Sequence, residues 1–143
     1  IYLSIALGDV DGDSDLDVVL GTFFNYREVW LNDGLGFFGD IAHDNFGLGG
    51  SMDVVLGDVD GDGDLDAVIA NVGSTQEVWL NDGSGDFGDH EYNTFGGGAT
   101  YSVALGDMDG DGDLDALIAN SGSAQEVWLN RELFSIYIPF VME

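Results

Sequence analysis

The chain has 143 residues, 45% of them hydrophobic, and a formal net charge of −26 from 28 acidic residues against Arg27 and Arg131. This apolar fraction predicts a folded domain with a core rather than a disordered chain. A surface this acidic repels phosphate backbones and anionic lipids, which excludes nucleic acid and membrane surfaces as partners. The absence of cysteine excludes disulfides, and no apolar run approaches the roughly 20 residues that a membrane span needs.

Each of three successive units begins with a short apolar run that ends in glycine. The runs are residues 3–8, 52–57 and 101–106. Large apolar residues alternate in them with small or polar ones, a period that is typical of a β-strand. Because the runs recur every 49 residues, the sequence predicts three copies of one structural unit.

An acidic loop follows each run, with five aspartates on alternate residues. Two like charges about 4 Å apart repel by roughly 1 kcal/mol in water, so a chain that keeps them in register is expected to hold a cation. A donor set made only of oxygens, with flexible glycine spacing, favours calcium over zinc or magnesium. The predicted metal ligands are Asp9, Asp11, Asp13, Asp15 and Asp17 in the first loop, Asp58, Asp60, Asp62, Asp64 and Asp66 in the second, and Asp107, Asp109, Asp111, Asp113 and Asp115 in the third.

A purely solubilising loop and two well-known calcium folds fit this pattern less well. A loop that only keeps the protein soluble does not require three copies in fixed register. An EF-hand needs a glutamate at loop position twelve, where this chain has Leu20, Ile69 and Ile118, and it needs flanking helices where strands are predicted. The calcium-binding nonapeptide β-roll needs tandem nine-residue repeats, whereas each acidic loop occurs once in 49 residues.

Three further strands are predicted in each unit. The second strand (residues 16–20, 65–70 and 114–119) is apolar on both faces, which indicates a strand covered on both sides. The third contains Val-Trp-Leu-Asn (residues 29–32, 78–81 and 127–130), and the fourth is expected within 38–46 and 87–95, each ending in Phe-Gly. Four short strands in about 49 residues are typical of a β-propeller blade.

Several single residues also carry predictions. Three tryptophans recur in register and are expected to pack between neighbouring blades, with sugar stacking as the alternative: Trp30, Trp79 and Trp128. Three other residues are expected on the surface because they do not repeat between units: Arg27, His43 and His90.

The tail after residue 130 departs from the repeat. Residues 135–142 are apolar and strand-like, and Pro139 restricts such a strand to an edge. We expect the tail to cap the last unit or to add to a neighbouring chain's sheet, with a frayed terminus as the alternative. The chain opens at Ile1 inside the repeat pattern and without methionine, which indicates a piece of a longer or processed polypeptide.

Taken together, the acidic loop, the Val-Trp-Leu-Asn strand and the Phe-Gly ending resemble FG-GAP (VCBS-type) repeats, the blades of the integrin α-subunit propeller and of many secreted bacterial proteins. The resemblance covers residues 1 to about 130. It implies an all-β, propeller-type domain with blades at residues 1–49, 50–98 and 99–143, and one calcium ion in each loop. It also implies that loop positions one, three, five and nine bind through side chains and position seven through its carbonyl. If the sixth position needs a positive φ, Ser14 weakens the first site relative to the glycines of the other loops.

These observations predict a secreted, non-catalytic, calcium-binding module that acts in adhesion or extracellular assembly. No P-loop, nucleophile elbow, His-Glu-x-x-His motif or cysteine nucleophile occurs in the sequence, so no enzyme activity is expected. A carbohydrate-binding propeller and an accessory domain of a larger secreted enzyme stay open as alternatives. Since propellers close with about four to eight blades, three blades are expected to associate with other copies or with further blades of a longer chain.

Overall fold

In the computed structural model, which describes residues 1–89, 91–131 and 136–140, the chain forms three antiparallel sheets of four strands each. The described residues contain no helix, and hence none that could cross a membrane. The first sheet comprises β1 (Tyr2–Gly8), β2 (Asp17–Thr22), β3 (Tyr26–Trp30) and β4 (Asp44–Leu48); the second comprises β5 (Ser51–Gly57), β6 (Asp66–Asn71), β7 (Gln76–Trp79) and β8 (Asn93–Phe95); the third comprises β9 (Thr100–Gly106), β10 (Asp115–Asn120), β11 (Gln125–Leu129) and β12 (Ile136–Phe140). This confirms the all-β class and the blade-like repeat.

The acidic loop of each unit connects the first two strands as a hairpin. In the first sheet the last residue of β1, Gly8, pairs with Asp17 at the start of β2. The loop between them is therefore closed by the last residue pair of the β1–β2 ladder. The same pairing joins Gly57 to Asp66 in the second sheet and Gly106 to Asp115 in the third. The strand register therefore places both ends of every acidic loop side by side.

The three sheets pack face to face, and the middle sheet is covered on both sides. Every residue of β6 is buried, as expected for a strand that is apolar on both faces, whereas β2 alternates buried and half-buried residues because one face of the first sheet is open. Trp79 of the second sheet lies 5.3 Å, between ring centroids, from Phe46 of the first. Trp128 of the third sheet lies 5.7 Å from Phe95 of the second. The packing role predicted for these two tryptophans is confirmed.

The fourth strands begin later than predicted. In the first two units they span Asp44–Leu48 and Asn93–Phe95, because the preceding residues form turns held by aspartate side chains rather than a ladder. In the third unit the tail supplies this strand: β12 pairs with β11 and forms the edge of the sheet, which is the position predicted for a strand that contains Pro139. Residues 135, 141 and 142 of the predicted tail strand lie outside the described residues.

The prediction that Arg27 lies on the surface was wrong. Its side chain is fully buried between the first and second sheets, where Nε donates to Ser51 Oγ (2.7 Å), Nη1 to Glu77 Oε2 (2.8 Å) and Nη2 to Asn71 Oδ1 (3.0 Å). The guanidinium also lies 5.9 Å from the Trp79 ring centroid. Burial lowers the pKa of Arg27, and the neighbouring Glu77 carboxylate acts in the opposite direction. His43 is exposed as predicted, and His90 lies outside the described residues.

Candidate metal centre

Each acidic loop is wound around the carboxylate at its first position, with positions numbered one to nine along the aspartate run. In the second loop, Asp58 accepts hydrogen bonds from the backbone N–H groups of Gly61 (2.7 Å) and Gly63 (3.1 Å). Asp9 accepts the equivalent pair in the first loop, and Asp107 accepts it in the third. The first aspartate therefore fixes the turn that the rest of the loop follows.

The carboxylates at positions three and five each use one oxygen to hold the loop. Asp60 Oδ1 accepts from the N–H of Asp62 (3.1 Å), and Asp62 Oδ1 accepts from the N–H of Asp64 (2.9 Å). Burial raises the pKa of Asp60, as it does for Asp11 at the same position of the first loop. These backbone bonds do not use Oδ2, so one oxygen of each carboxylate is left for a cation.

Carboxylate oxygens converge in all three loops. In the first loop, oxygens of Asp9, Asp11 and Asp13 lie within 4.8 Å of one another, and in the second loop those of Asp58, Asp60 and Asp62 do. In the third loop the converging oxygens belong to the aspartates at positions one, three and nine, namely Asp107, Asp109 and Asp115. These three groups could hold a metal ion.

The ninth position anchors the loop to the sheet. Asp66 is fully buried, and its two oxygens accept from the N–H groups of Val59 (3.0 Å) and Asn81 (3.0 Å). Burial raises the pKa of Asp66 to about 6, against the lowering effect of these two donors. Asp17 and Asp115 make the same two bonds in their units. The ninth aspartate therefore joins the loop to the residue that follows the tryptophan strand.

The seventh position points elsewhere. The Asp64 carboxylate lies against Gly83, where an added Cβ would come within 2.6 Å of Asp64 Oδ2, and Asp15 lies in the same way against Gly34. Gly34 and Gly83 have φ of 78° and 82°, so the backbone of each Asp-Gly turn favours glycine, and the missing side chain leaves room for the aspartate. The placement of the two aspartate side chains also agrees with the implied role of position seven, whose main chain rather than its side chain serves the metal.

The donor set fits calcium. All candidate ligands are carboxylate or carbonyl oxygens, which suit a hard cation that takes six to eight oxygens, and the loop amides already hold the carboxylates together against their repulsion. Nitrogen or sulfur ligands of the kind that zinc prefers do not occur in these runs. The three groups of converging carboxylates are therefore compatible with calcium binding.

Comparison with known protein families gives a match over most of the chain. An FG-GAP-like repeat matches residues 9–69 and again residues 58–118. The chain belongs to the FG-GAP-like repeat family. A search of curated proteins finds no matching relative. The two matches are offset by one 49-residue unit, and together they include all three acidic loops.

The first FG-GAP loop differs from the others at its sixth position. Ser14 has φ of 77°, and the corresponding Gly63 and Gly112 have φ of 101°. The position thus requires the left-handed region, and a residue with a Cβ is strained there. The amide of Ser14 still donates to Asp9 Oδ2 (2.9 Å), so the loop keeps its shape at the cost of that strain.

Sequence reasoning missed one set of residues in the FG-GAP repeat. The asparagine that ends Val-Trp-Leu-Asn reaches into the neighbouring sheet: Asn81 Nδ2 donates to Val10 O (2.8 Å), and Asn130 Nδ2 donates to Val59 O (2.7 Å). Val10 and Val59 are the second residues of their loops, so each asparagine supports the loop of the preceding unit. The identity of this residue in all three units was the signal that could have revealed it.

Proposed function

We propose that this FG-GAP-like chain is a secreted, non-catalytic, calcium-binding repeat module that works in adhesion or extracellular assembly. The observation that carries the proposal is the convergence of carboxylate oxygens within 4.8 Å in each of three loops. Without a cation, each loop holds at least three carboxylates close together in a chain of net charge −26. Calcium is available at millimolar levels outside cells, and extracellular calcium modules bind with Kd of about 10⁻⁴ to 10⁻³ M.

Calorimetric titration of the decalcified chain with calcium tests this proposal. We expect about three ions per chain, one for each acidic loop. Replacing Asp60 with asparagine removes one charged ligand from the second loop and keeps the size of the side chain. We expect the binding of one ion to be lost or weakened. A matched change of Asp86, an exposed aspartate outside the loops, to asparagine leaves the titration unchanged. Absence of binding in the unmodified chain contradicts the proposal.

The outer faces of the first and third sheets support association between copies of the chain. Ile5, Leu7 and Leu16 on the first sheet are 63%, 59% and 58% exposed. One unit later, Val54, Leu56 and Leu65 occupy the same positions and pack against the first sheet. The open face thus repeats a face that is buried inside the molecule.

The opposite end repeats the complementary face. Met108 on the third sheet is 41% exposed, whereas Val10 and Val59 at the same position are 1% and 4% exposed because a following sheet covers them. We infer that a second copy of the chain packs its first sheet on this third sheet, in the arrangement that joins the sheets internally. Two copies would supply six sheets, within the range of closed propellers.

Light scattering of the 143-residue chain in calcium tests this association. A dimer or a larger head-to-tail assembly supports it. Replacing Leu7 with lysine places a charge on the open face and is expected to yield monomers, whereas Tyr92 to lysine, at a site that is also exposed, is the matched control. A stable, soluble monomer in the unmodified chain contradicts the association and favours further blades of a longer polypeptide.

Carbohydrate binding is a second candidate because of a pocket between the first two sheets. This pocket has a volume of about 370 Å³ and is lined by Tyr26 and Trp79 together with Glu77, Asp89 and Glu91. An exposed aromatic ring beside carboxylates suits sugar stacking with hydrogen bonds to hydroxyls. Glycan-array binding that is lost in Tyr26→Ala and kept in Tyr101→Ala would favour this candidate. An array without any signal removes it.

A further inference from the structure

The third acidic loop has an arginine of its own beside it. Arg131 follows the third strand of the last unit, and its guanidinium bridges two loop carboxylates: Nη2 donates to Asp109 Oδ2 (2.5 Å), and Nη1 donates to Asp111 Oδ2 (2.6 Å). These are positions three and five of the loop. In the first two loops the same two positions contribute converging oxygens to the candidate metal centre.

Arg131 carries a positive charge at a repeat position where the other two units have a negatively charged residue. One and two units earlier, the same position holds Asp82 and Asp33. Those aspartates fold into their own turns: Asp82 Oδ1 accepts from the N–H of Ser84 (2.9 Å), and Asp33 Oδ1 accepts from the N–H of Leu35 (2.9 Å). The third unit alone thus has a positive residue at this position of the sequence.

The oxygens that Arg131 takes are those that the backbone does not use. In the third loop, Asp109 Oδ1 and Asp111 Oδ1 accept backbone N–H groups, as their counterparts do in the other loops, and the arginine occupies both Oδ2 atoms. The converging group of the third loop includes Asp115 in place of Asp111. A cation that entered this loop at the positions used in the first two would have to displace the guanidinium.

The ion pairs of Arg131 with the two aspartates are partly exposed to water. The Arg131 side chain is 48% exposed, and those of Asp109 and Asp111 are 23% and 25% exposed, so water and salt screen the attraction. Exposed ion pairs of this kind contribute little individually, although two bonds to one planar guanidinium reinforce each other.

We propose that Arg131 is a built-in cation of the third loop, which neutralises its carboxylates when calcium is scarce and lowers its calcium affinity relative to the second loop. This inference rests on the proposed calcium binding. The third loop then fills at a higher calcium concentration than the second. The expected difference is about tenfold in Kd.

Calorimetric titration of charge variants tests the inference. Arg131→Gln removes the guanidinium without adding a charge, and we expect one weak site to tighten about tenfold. Asp82→Arg places the arginine beside the second loop, and we expect one site to weaken by a similar factor. Thr75→Ala, which makes an exposed residue of the second unit match the third, is the control and leaves every site unchanged.

Melting in calcium-depleted buffer gives a second readout. There Arg131→Gln is expected to melt below the unmodified chain, because the third loop has lost the guanidinium that neutralises it, and in saturating calcium the difference shrinks or reverses. Binding of three ions with an isotherm unchanged in both Arg131→Gln and Asp82→Arg overturns the role of Arg131 while the calcium proposal stands. Absence of calcium binding in every form overturns both.

Discussion

The interface between the first and second sheets and the interface between the second and third are built on the same apolar positions. Val19 and Val68 are fully buried at equivalent places, and in each interface a tryptophan of one sheet packs on a phenylalanine of the sheet before it. The apolar residues therefore recur every 49 residues because the same two surfaces meet twice.

The polar centres of the two interfaces differ. In the first, Arg27 bonds Ser51, Asn71 and Glu77 across the gap. In the second, Gln76 donates to Thr100 Oγ1 (2.9 Å) in the same place. No buried side-chain nitrogen or oxygen among the described residues lacks a partner. The interface therefore tolerates a change from a charged to a neutral centre, provided that every buried polar group is satisfied.

The largest loss of stability is expected from removing Arg27, the cation between the first and second sheets. Arg27→Leu leaves the largely buried Glu77 without its cation and is expected to cost about 3–5 kcal/mol of unfolding free energy. Arg27→Gln introduces the residue that the second interface uses, with Ser51 in place of Thr100, and is expected to cost less than half as much. Urea unfolding of the two variants measures the difference. Equal losses would show that the two polar centres are not interchangeable.

Truncation of the tryptophans is expected to cost more on a covered sheet face than on an open one. Trp79 is 2% exposed inside the first interface, and Trp79→Ala is expected to cost about 3–5 kcal/mol. Trp30 occupies the same register on the open face of the first sheet, so Trp30→Ala is expected to cost clearly less in the monomer. Denaturant midpoints measure both. A loss at Trp30 as large as that at Trp79 would indicate that the open face is already covered in solution.

The repeat could be predicted from the sequence because its signals are local. The apolar alternation of residues 52–57, the acidic loop and the tryptophan strand each lie within about ten residues, and all three recur in register. The bounds of β4 and β8 could not be predicted, since aspartate-held turns compete with the ladder there. The tail could have capped the last unit or joined another chain, and only its pairing with β11 decides between these.

The role of Arg27 could not be predicted for a different reason. Its partners lie 24, 44 and 50 residues away in the next unit, so the neighbouring sequence does not reveal them. The alignment of Arg27 with Gln76 in the repeat suggested only a substitution on the surface. The acidic loops were easier, because all the carboxylates that converge on the candidate metal centre lie within nine consecutive residues.

The stability of the middle sheet, which takes part in both interfaces, is expected to depend on pH through Asp66. Asp66 has a pKa raised to about 6 by burial, so the folded state retains a proton between pH about 4 and about 6 that the unfolded state has lost. In calcium-depleted buffer, the contribution of this group to stability therefore falls as pH rises through that window, by at most about 3 kcal/mol. Melting at pH of about 4.5 and about 7 measures it, and Asp66→Asn should remove this contribution. In calcium the trend is expected to reverse, because the ion requires the ionised carboxylate.

The smallest effect is expected from exchanging the residues at the sixth position of the first and second loops. Ser14 has φ of 77°, so Ser14→Gly relieves strain and is expected to add about 1 kcal/mol of stability or the equivalent calcium affinity. Gly63→Ser is the reciprocal change and is expected to remove a similar amount from the second loop. Calorimetry of both variants checks the pair. A Ser14→Gly variant without a gain would remove backbone strain as a reason for a weaker first site.

We predict that bound calcium stabilises this fold. The most direct test is thermal melting of the 143-residue chain, followed by tryptophan fluorescence, in excess calcium and in excess chelator at the same low ionic strength. Binding to the folded state alone stabilises it by about 2.7 kcal/mol per site at a hundredfold excess of calcium over Kd. We therefore predict a melting temperature that is higher in calcium than in chelator, together with a shift in the emission of the interface tryptophans. Superimposable melts in calcium and chelator would contradict a stabilising role for calcium.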